Sequence, residues 1–88
     1  MYGLTREAYD AMLLAQGNRC DICKTVFGEG KVLGPHVDHD HETGAVRALL
    51  CFPCNAGGGN YNDDPVRLIQ AARFFAKHRG IAFDSLIA

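Results

Sequence analysis

The stretch that decides the fold is 36–55, HVDHDHETGAVRALLCFPCN. Its first six positions hold three histidines and two aspartates, and a short apolar run and a CxxC pair follow. We expect a strand at 36–39, a turn at 42–44 and a returning strand at 46–50. The stretch therefore predicts a β-hairpin that carries proton carriers and oxygen ligands and leads into a metal-binding knuckle.

Two CxxC pairs flank this hairpin. They are Cys20 with Cys23 and Cys51 with Cys54, and 27 residues separate the pairs. Zn²⁺ favours four tetrahedral ligands, and four thiolates leave no open position, so we predict a structural zinc. Two disulfides or an iron ion are the alternatives, and the paired spacing favours zinc over both. In a chain of 88 residues such a staple is expected, because a small core supplies little stability.

Composition and charge exclude several classes. The formal net charge is −1 and 48% of the residues are hydrophobic, which is ordinary for a globular protein. No apolar run is long enough for a membrane span, and the N-terminus resembles no export signal, so we expect a cytoplasmic protein. Residues 1–45 carry four basic and seven acidic side chains, whereas residues 46–88 carry five basic and three acidic ones.

The pattern along the chain predicts one domain, 1–88, with a core at about 18–62. Thr5 is a helix N-cap signal, and a helix is expected at about 6–16. Asp64 and Pro65 start a second helix at about 65–78, with a short helix before it despite three consecutive glycines, and an apolar tail after it. The apolar faces expected on the two long helices comprise Leu4, Ala8, Met12, Leu13 and Ala15 on the first, and Val66, Leu68, Ile69, Ala72, Phe75 and Ala76 on the second.

The polar residues of the hairpin suit phosphodiester hydrolysis. Asp38 and Asn55 offer hard oxygen donors, which Mg²⁺ or Mn²⁺ prefers. His39 is a suitable general base near neutral pH. Consecutive strand residues point to opposite faces, so Asp38 and His39 can serve one site only if the strand ends between them. We therefore expect His39 at a strand end, outside regular pairing.

The same residues resemble a known family. CDIC at 20–23, VDHDH at 37–41, TGAVR at 43–47, LLC at 49–51 and CN at 54–55 are similar to the recombination endonuclease VII family of bacteriophage HNH, or His-Me finger, nucleases. The resemblance covers about residues 5–76. It implies a small, zinc-stapled α+β fold with a ββα-metal hairpin-plus-helix core and flanking N- and C-terminal helices. It also implies a DNA endonuclease that acts in the cytoplasm of an infected bacterial cell.

The resemblance assigns roles to single residues. Asp38 and Asn55 match ligands of the catalytic metal, His39 matches the general base, and His41 matches a further histidine near the phosphate. Ala48 stands where the family usually has glycine. Many HNH enzymes have a third ligand on the following helix, and the candidates here are Asn60, Asn62 and Asp63.

DNA contacts follow from the positive charges of the second half. Arg47 on the second strand is a candidate phosphate contact, and the remaining candidates for a DNA backbone tether are Arg67, Arg73, Lys77 and Arg79. His36, Asp40 and Glu42 are expected to be strand-surface and turn residues. Two other functions stay open, a non-catalytic zinc-ribbon module and a partner subunit with a decayed site. The protein is expected to be a monomer or a homodimer, without membrane contact.

Overall fold

A computed structural model describes residues 4–29 and 33–87 of the chain. The elements in chain order are α1 (Arg6–Ala15), β1 (His36–His39), β2 (Val46–Leu50), α2 (Phe52–Asn60), α3 (Pro65–His78) and α4 (Asp84–Ile87). They form two compact units, Met1–Ala56 and Gly57–Ala88, and α2 runs across the boundary. The predicted small α+β class is confirmed, with one two-stranded antiparallel sheet among the described residues.

Helix α1 begins where its sequence predicts. The Thr5 hydroxyl accepts a hydrogen bond from the Ala8 N–H at 3.1 Å, which satisfies one of the open donors of the first turn. The helix ends before Gly17 and Asn18, which both have positive φ angles.

The face of α1 that packs on the core is rotated from the expected one. Tyr9, Met12 and Leu13 contact the core cluster, whereas Ala15 is exposed, so the prediction for Ala15 was wrong. Residues 9, 12, 13 and 16 share a helical stripe of the same spacing as the expected one, and spacing alone does not distinguish them.

Gln16 joins α1 to the sheet. Its side-chain amide donates to the Leu49 carbonyl at 2.9 Å and accepts from the Leu49 N–H at 3.0 Å. These backbone groups lie on the edge of β2 that β1 does not use, so the amide pairs with Leu49 as a further strand would. The same nitrogen donates to the Arg19 carbonyl at 2.8 Å, which fixes the start of the first knuckle.

The hairpin has the predicted strands and an irregular register. His36 pairs with Leu50, Val37 with Leu49 and Asp38 with Ala48, but His39 pairs with Val46. Arg47 is therefore an extra residue on β2, a β-bulge that disrupts the ladder between Asp38 and His39. The prediction that His39 ends its strand is confirmed. The strand does not end between Asp38 and His39, however, because His39 still pairs with Val46 beyond the register shift.

Asp40 organises the turn between the strands. Its carboxylate accepts from the N–H groups of Glu42 at 2.8 Å and Thr43 at 2.9 Å, and Gly44 completes the turn with a φ angle of 75°. The backbone N–H bonds from Thr43 and Glu42 lower the pKa of Asp40. Because the pKa is lower in the folded state, these bonds stabilise the turn at neutral pH and are lost as the pH falls through that pKa. Asp40 is thus a turn residue, as the sequence predicts.

The second unit has the predicted α3, from Pro65 to His78, with Asp64 as N-cap. Of its expected apolar face only Ala76 is buried, and Val66 and Phe75 are more than half exposed. The periodicity correctly predicts the helix, but the second unit has too few other residues to bury its apolar face. The tail expected after α3 contains α4, four residues that are too short to give a periodic signal. No described helix has both the length and the hydropathy that a membrane crossing needs.

Replacing Gln16 with Ala should lower the free energy of unfolding by about 1–3 kcal/mol, because the N–H of the buried Leu49 loses its partner. The matched control is Gln70→Ala on the exposed surface of α3, which should change stability by less than about 0.5 kcal/mol. Chemical denaturation of the zinc-loaded protein measures both. Equal effects of the two substitutions would show that the Gln16 amide does not hold α1 to the sheet.

Candidate metal centre and active site

The four cysteines form one cluster. Their sulfur atoms all lie within 4.8 Å of one another, and none of the cysteines forms a disulfide. The Sγ atoms of Cys23 and Cys51 are 3.8 Å apart. Four sulfurs at about 2.3 Å from a tetrahedral Zn²⁺ would be separated by about 3.8 Å. The cluster can therefore hold a structural metal such as zinc.

The first knuckle is a tight turn stabilised by backbone hydrogen bonds. Cys20 N–H donates to the Thr25 carbonyl at 3.0 Å, and Lys24 N–H donates to the Cys20 carbonyl at 2.9 Å. Lys24 has a φ angle of 65°, which lets the chain reverse directly after Cys23. This turn directs both sulfurs of the pair to the same point.

The second knuckle lies between the sheet and α2. Cys51 directly follows β2 and is buried, and Cys54 lies in the first turn of α2. The Asn55 N–H donates to the Cys51 carbonyl at 3.0 Å as a regular helical bond. Cys54 and Asn55 are therefore neighbours on one helical turn, so the cysteine cluster and the candidate active site share this turn.

Electrostatics of the cluster favour a cation. A hydrogen bond with the Thr25 hydroxyl, 3.3 Å from the sulfur, lowers the pKa of Cys23 to about 6. Burial and the neighbouring thiols raise the pKa of Cys54. Four thiolates so close together repel one another, and a divalent cation among them relieves that repulsion.

An open pocket of about 420 Å³ lies at the end of the hairpin. Four of the predicted site residues line it together: Asp38, His39, His41 and Asn55. Asp38 and His39 come from the end of β1, His41 from the turn and Asn55 from α2. Residues 38 and 39 share the pocket despite the alternation of strands, because β1 ends at His39 and the register shifts there.

Asp38 is buried and bound by an arginine. Arg47 Nε lies 2.6 Å from Asp38 Oδ2, and Arg47 Nη2 lies 2.9 Å from Asp38 Oδ1. In a regular strand Arg47 would point away from the face of Ala48 and its partner Asp38, and the bulge re-aims it. The sequence did not predict this pair, because only the irregular register brings the two side chains together.

The remaining predicted site residues do not line this pocket. His36 is exposed, and its ring lies 5.7 Å from the Phe52 ring. Asn62 and Asp63 have positive φ angles in the turn that ends α2. Within the second unit, Arg67 forms an exposed ion pair with Asp64, the Arg73 guanidinium lies 4.3 Å from the centre of the Phe83 ring, and Lys77 and Arg79 are exposed.

Comparison with known proteins gives consistent matches. The family model for recombination endonuclease VII matches residues 1–77. The Gene 59 protein of Mycobacterium phage D29 is 45% identical over 71 residues, which are 81% of this chain and 42% of that protein. The Gene 59 protein of Mycobacterium phage L5 is 50% identical over 54 residues, 61% of this chain and 32% of that protein. The chain thus spans less than half of the length of these relatives.

Elemental analysis of protein prepared under reducing conditions should find one zinc per chain. Cys20→Ser should release it and unfold the hairpin unit, which is the first compact unit, Met1–Ala56. Structural zinc contributes about 10–16 kcal/mol in zinc-finger peptides, as much as a whole domain's stability. Lys24→Gly is the control in the same knuckle; it removes no ligand and relieves a positive φ angle, so zinc should stay bound. Two disulfides without metal would contradict the assignment.

Proposed function

Because the chain belongs to the recombination endonuclease VII family, we propose that it is a metal-dependent DNA endonuclease of the HNH, or His-Me finger, type. The observation that carries this proposal is the convergence of Asp38, His39, His41 and Asn55 on one open pocket. The order of β1, β2 and α2 along the chain, with pocket residues on β1 and α2, supports a ββα-metal core. The cytoplasm of an infected bacterial cell is the expected place of action.

Asp38 and Asn55 are the proposed ligands of a divalent cation. The chemistry of the donors fits Mg²⁺ or Mn²⁺, because a carboxylate and an amide oxygen are hard ligands. Asp38 is buried and already bound by a cationic group, Arg47, so its surroundings accommodate positive charge. When bound, the cation would stabilise the negative charge that develops on the phosphate and the leaving oxygen.

His39 is the proposed general base. A ring nitrogen of His39 takes the proton from the attacking water, and the pocket is open enough to admit both water and a phosphate. His41, on the turn at the pocket edge, is the proposed contact to the phosphate. Arg47 remains a candidate phosphate contact, although its guanidinium binds Asp38 here.

The proposed DNA tether is the basic set on and after α3, comprising Arg67, Arg73, Lys77 and Arg79. Arg73 and Lys77 are four residues apart and therefore lie on one side of the helix. Such contacts bind the phosphate backbone and are largely independent of sequence.

A non-catalytic zinc-binding module is the second candidate. The two hydrogen bonds between Arg47 and Asp38 favour it, since they satisfy the carboxylate that a metal would need. The two functions differ in one measurement, cleavage of supercoiled plasmid with Mg²⁺ or Mn²⁺ and its loss on addition of a chelator. A module that only binds would leave the plasmid intact under all these conditions.

His39→Ala should lower the plasmid cleavage rate by about 10²–10⁴-fold, because general-base catalysis is typically worth that factor. Asn55→Ala should also lose the metal-dependent activity. His36→Ala is the matched control, an exposed histidine on the same strand that does not line the pocket, and it should cleave within a few-fold of wild type. Zinc content and circular dichroism confirm folding. A His39→Ala protein nearly as active as wild type would remove His39 as the base.

DNA binding should be sensitive to salt. In a His39→Ala background that prevents cleavage, fluorescence anisotropy with a labelled duplex gives the slope of log affinity against log salt. Replacing Arg67 and Lys77 with Gln should reduce that slope by about 0.9 for each lost phosphate contact. Arg6→Gln on α1 removes one positive charge from an exposed site and controls for each single charge lost in the α3 variant. An unchanged slope in the α3 variant would place the tether elsewhere.

A further inference from the structure

Asp38 is the one buried acidic side chain in the described part of the chain, and its carboxylate is held on both oxygens by one guanidinium. A buried carboxylate is unfavourable without a counter-charge, and the planar fork of arginine matches its two oxygens. The Arg47 guanidinium therefore neutralises the Asp38 carboxylate as a bound metal ion would.

The two partners differ in their exposure to water. The side chain of Arg47 is 38% exposed, whereas that of Asp38 is 9% exposed. Arg47 also stands at the bulge, where the regular ladder of the hairpin is disrupted. If a second cation arrives at the carboxylate, the guanidinium can move into water, while Asp38 stays in place.

We propose that Arg47 is an internal counter-ion that occupies the place of the divalent cation against Asp38 and is displaced when that cation binds. The proposal rests on the proposed function, since it takes Asp38 as a ligand. Because one cation replaces another, a positive charge stays beside the buried Asp38 carboxylate throughout the exchange. It also makes cation binding weaker than Asp38 and Asn55 alone would allow, because the ion pair must first be broken.

The first test is the affinity of the zinc-loaded protein for Mn²⁺, measured by the loss of the free-ion signal in electron paramagnetic resonance. Arg47→Gln should bind Mn²⁺ about tenfold more tightly than wild type, a difference of about 1.4 kcal/mol. Arg47→Lys should lie between the two, because lysine keeps the charge but lacks the fork. Arg6→Gln, which breaks an exposed ion pair on α1, corrects for the change in net charge and should bind as wild type does.

The second test observes Arg47 directly in the folded wild-type protein and does not compare affinities between variants. The Nε–Hε signal of Arg47 in a ¹⁵N-correlated spectrum is assigned by its absence in Arg47→Lys. It should shift during a Mg²⁺ titration, with the same midpoint as binding, and this change should vanish in Asp38→Asn. A signal that stays unchanged while Mg²⁺ saturates the site overturns the displacement, even if Arg47→Gln fails to fold.

The outcomes separate the two proposals. Mn²⁺ affinity that is independent of Asp38 overturns the metal site of the proposed function and this inference with it. Affinity that depends on Asp38 but is equal or weaker in Arg47→Gln overturns this inference alone, since Arg47 would then be neutral toward the cation or would position its ligand. Tighter binding in Arg47→Gln, together with the shift of the Arg47 signal, supports displacement.

Discussion

The cysteine cluster is the constraint on which the hairpin unit depends. It brings together two segments separated by 27 residues, and its sulfurs lie within 4.8 Å of one another. Cys20 and Cys51 are also, with Leu49, the most deeply buried side chains of the described residues. The cysteine cluster and the hydrophobic core are thus the same part of the molecule. A core this small leaves little stability if the sulfurs separate, because entropy lost on folding offsets most of the burial gain.

Local signals made the elements predictable. Thr5 before α1 and Asp64 before α3 each accept a hydrogen bond from an open N–H group of the first helical turn. Pro65, the first residue of α3, has no N–H group to satisfy, so both helix starts follow from local residues. The bond between Gln16 and Leu49 could not be predicted in this way. It joins residues 33 positions apart, and a glutamine near a helix end carries no sign of its partner. The apolar face of α3 is clear in the sequence, but most of its side chains are exposed in the structure.

The residues that line the candidate pocket were predictable from the sequence, whereas their contacts were not. Ligand chemistry and the resemblance to a nuclease family selected Asp38, His39, His41 and Asn55, and all four line one pocket. The pair of Arg47 with Asp38 depends on an extra residue in β2. Register comes from the geometry of the turn and from side-chain packing together, and a one-residue change reverses the face of every side chain. The sequence therefore shows that Asp38 and Arg47 are oppositely charged, but it does not show that they are in contact.

The position of Asn55 depends on the knuckle more than on its helix. Gly57 and Gly59 weaken α2, because glycine costs about 1 kcal/mol relative to alanine in a helix. A Cβ atom at either position would meet no atom within 4 Å, so packing does not require glycine there. What fixes the first turn of α2 is Cys51 and Cys54, which belong to the sulfur cluster and precede Asn55 directly. Asn55 can therefore keep its place in the pocket although α2 is weak, and loss of a metal held by the cluster would remove this proposed ligand from the pocket as the hairpin unfolds.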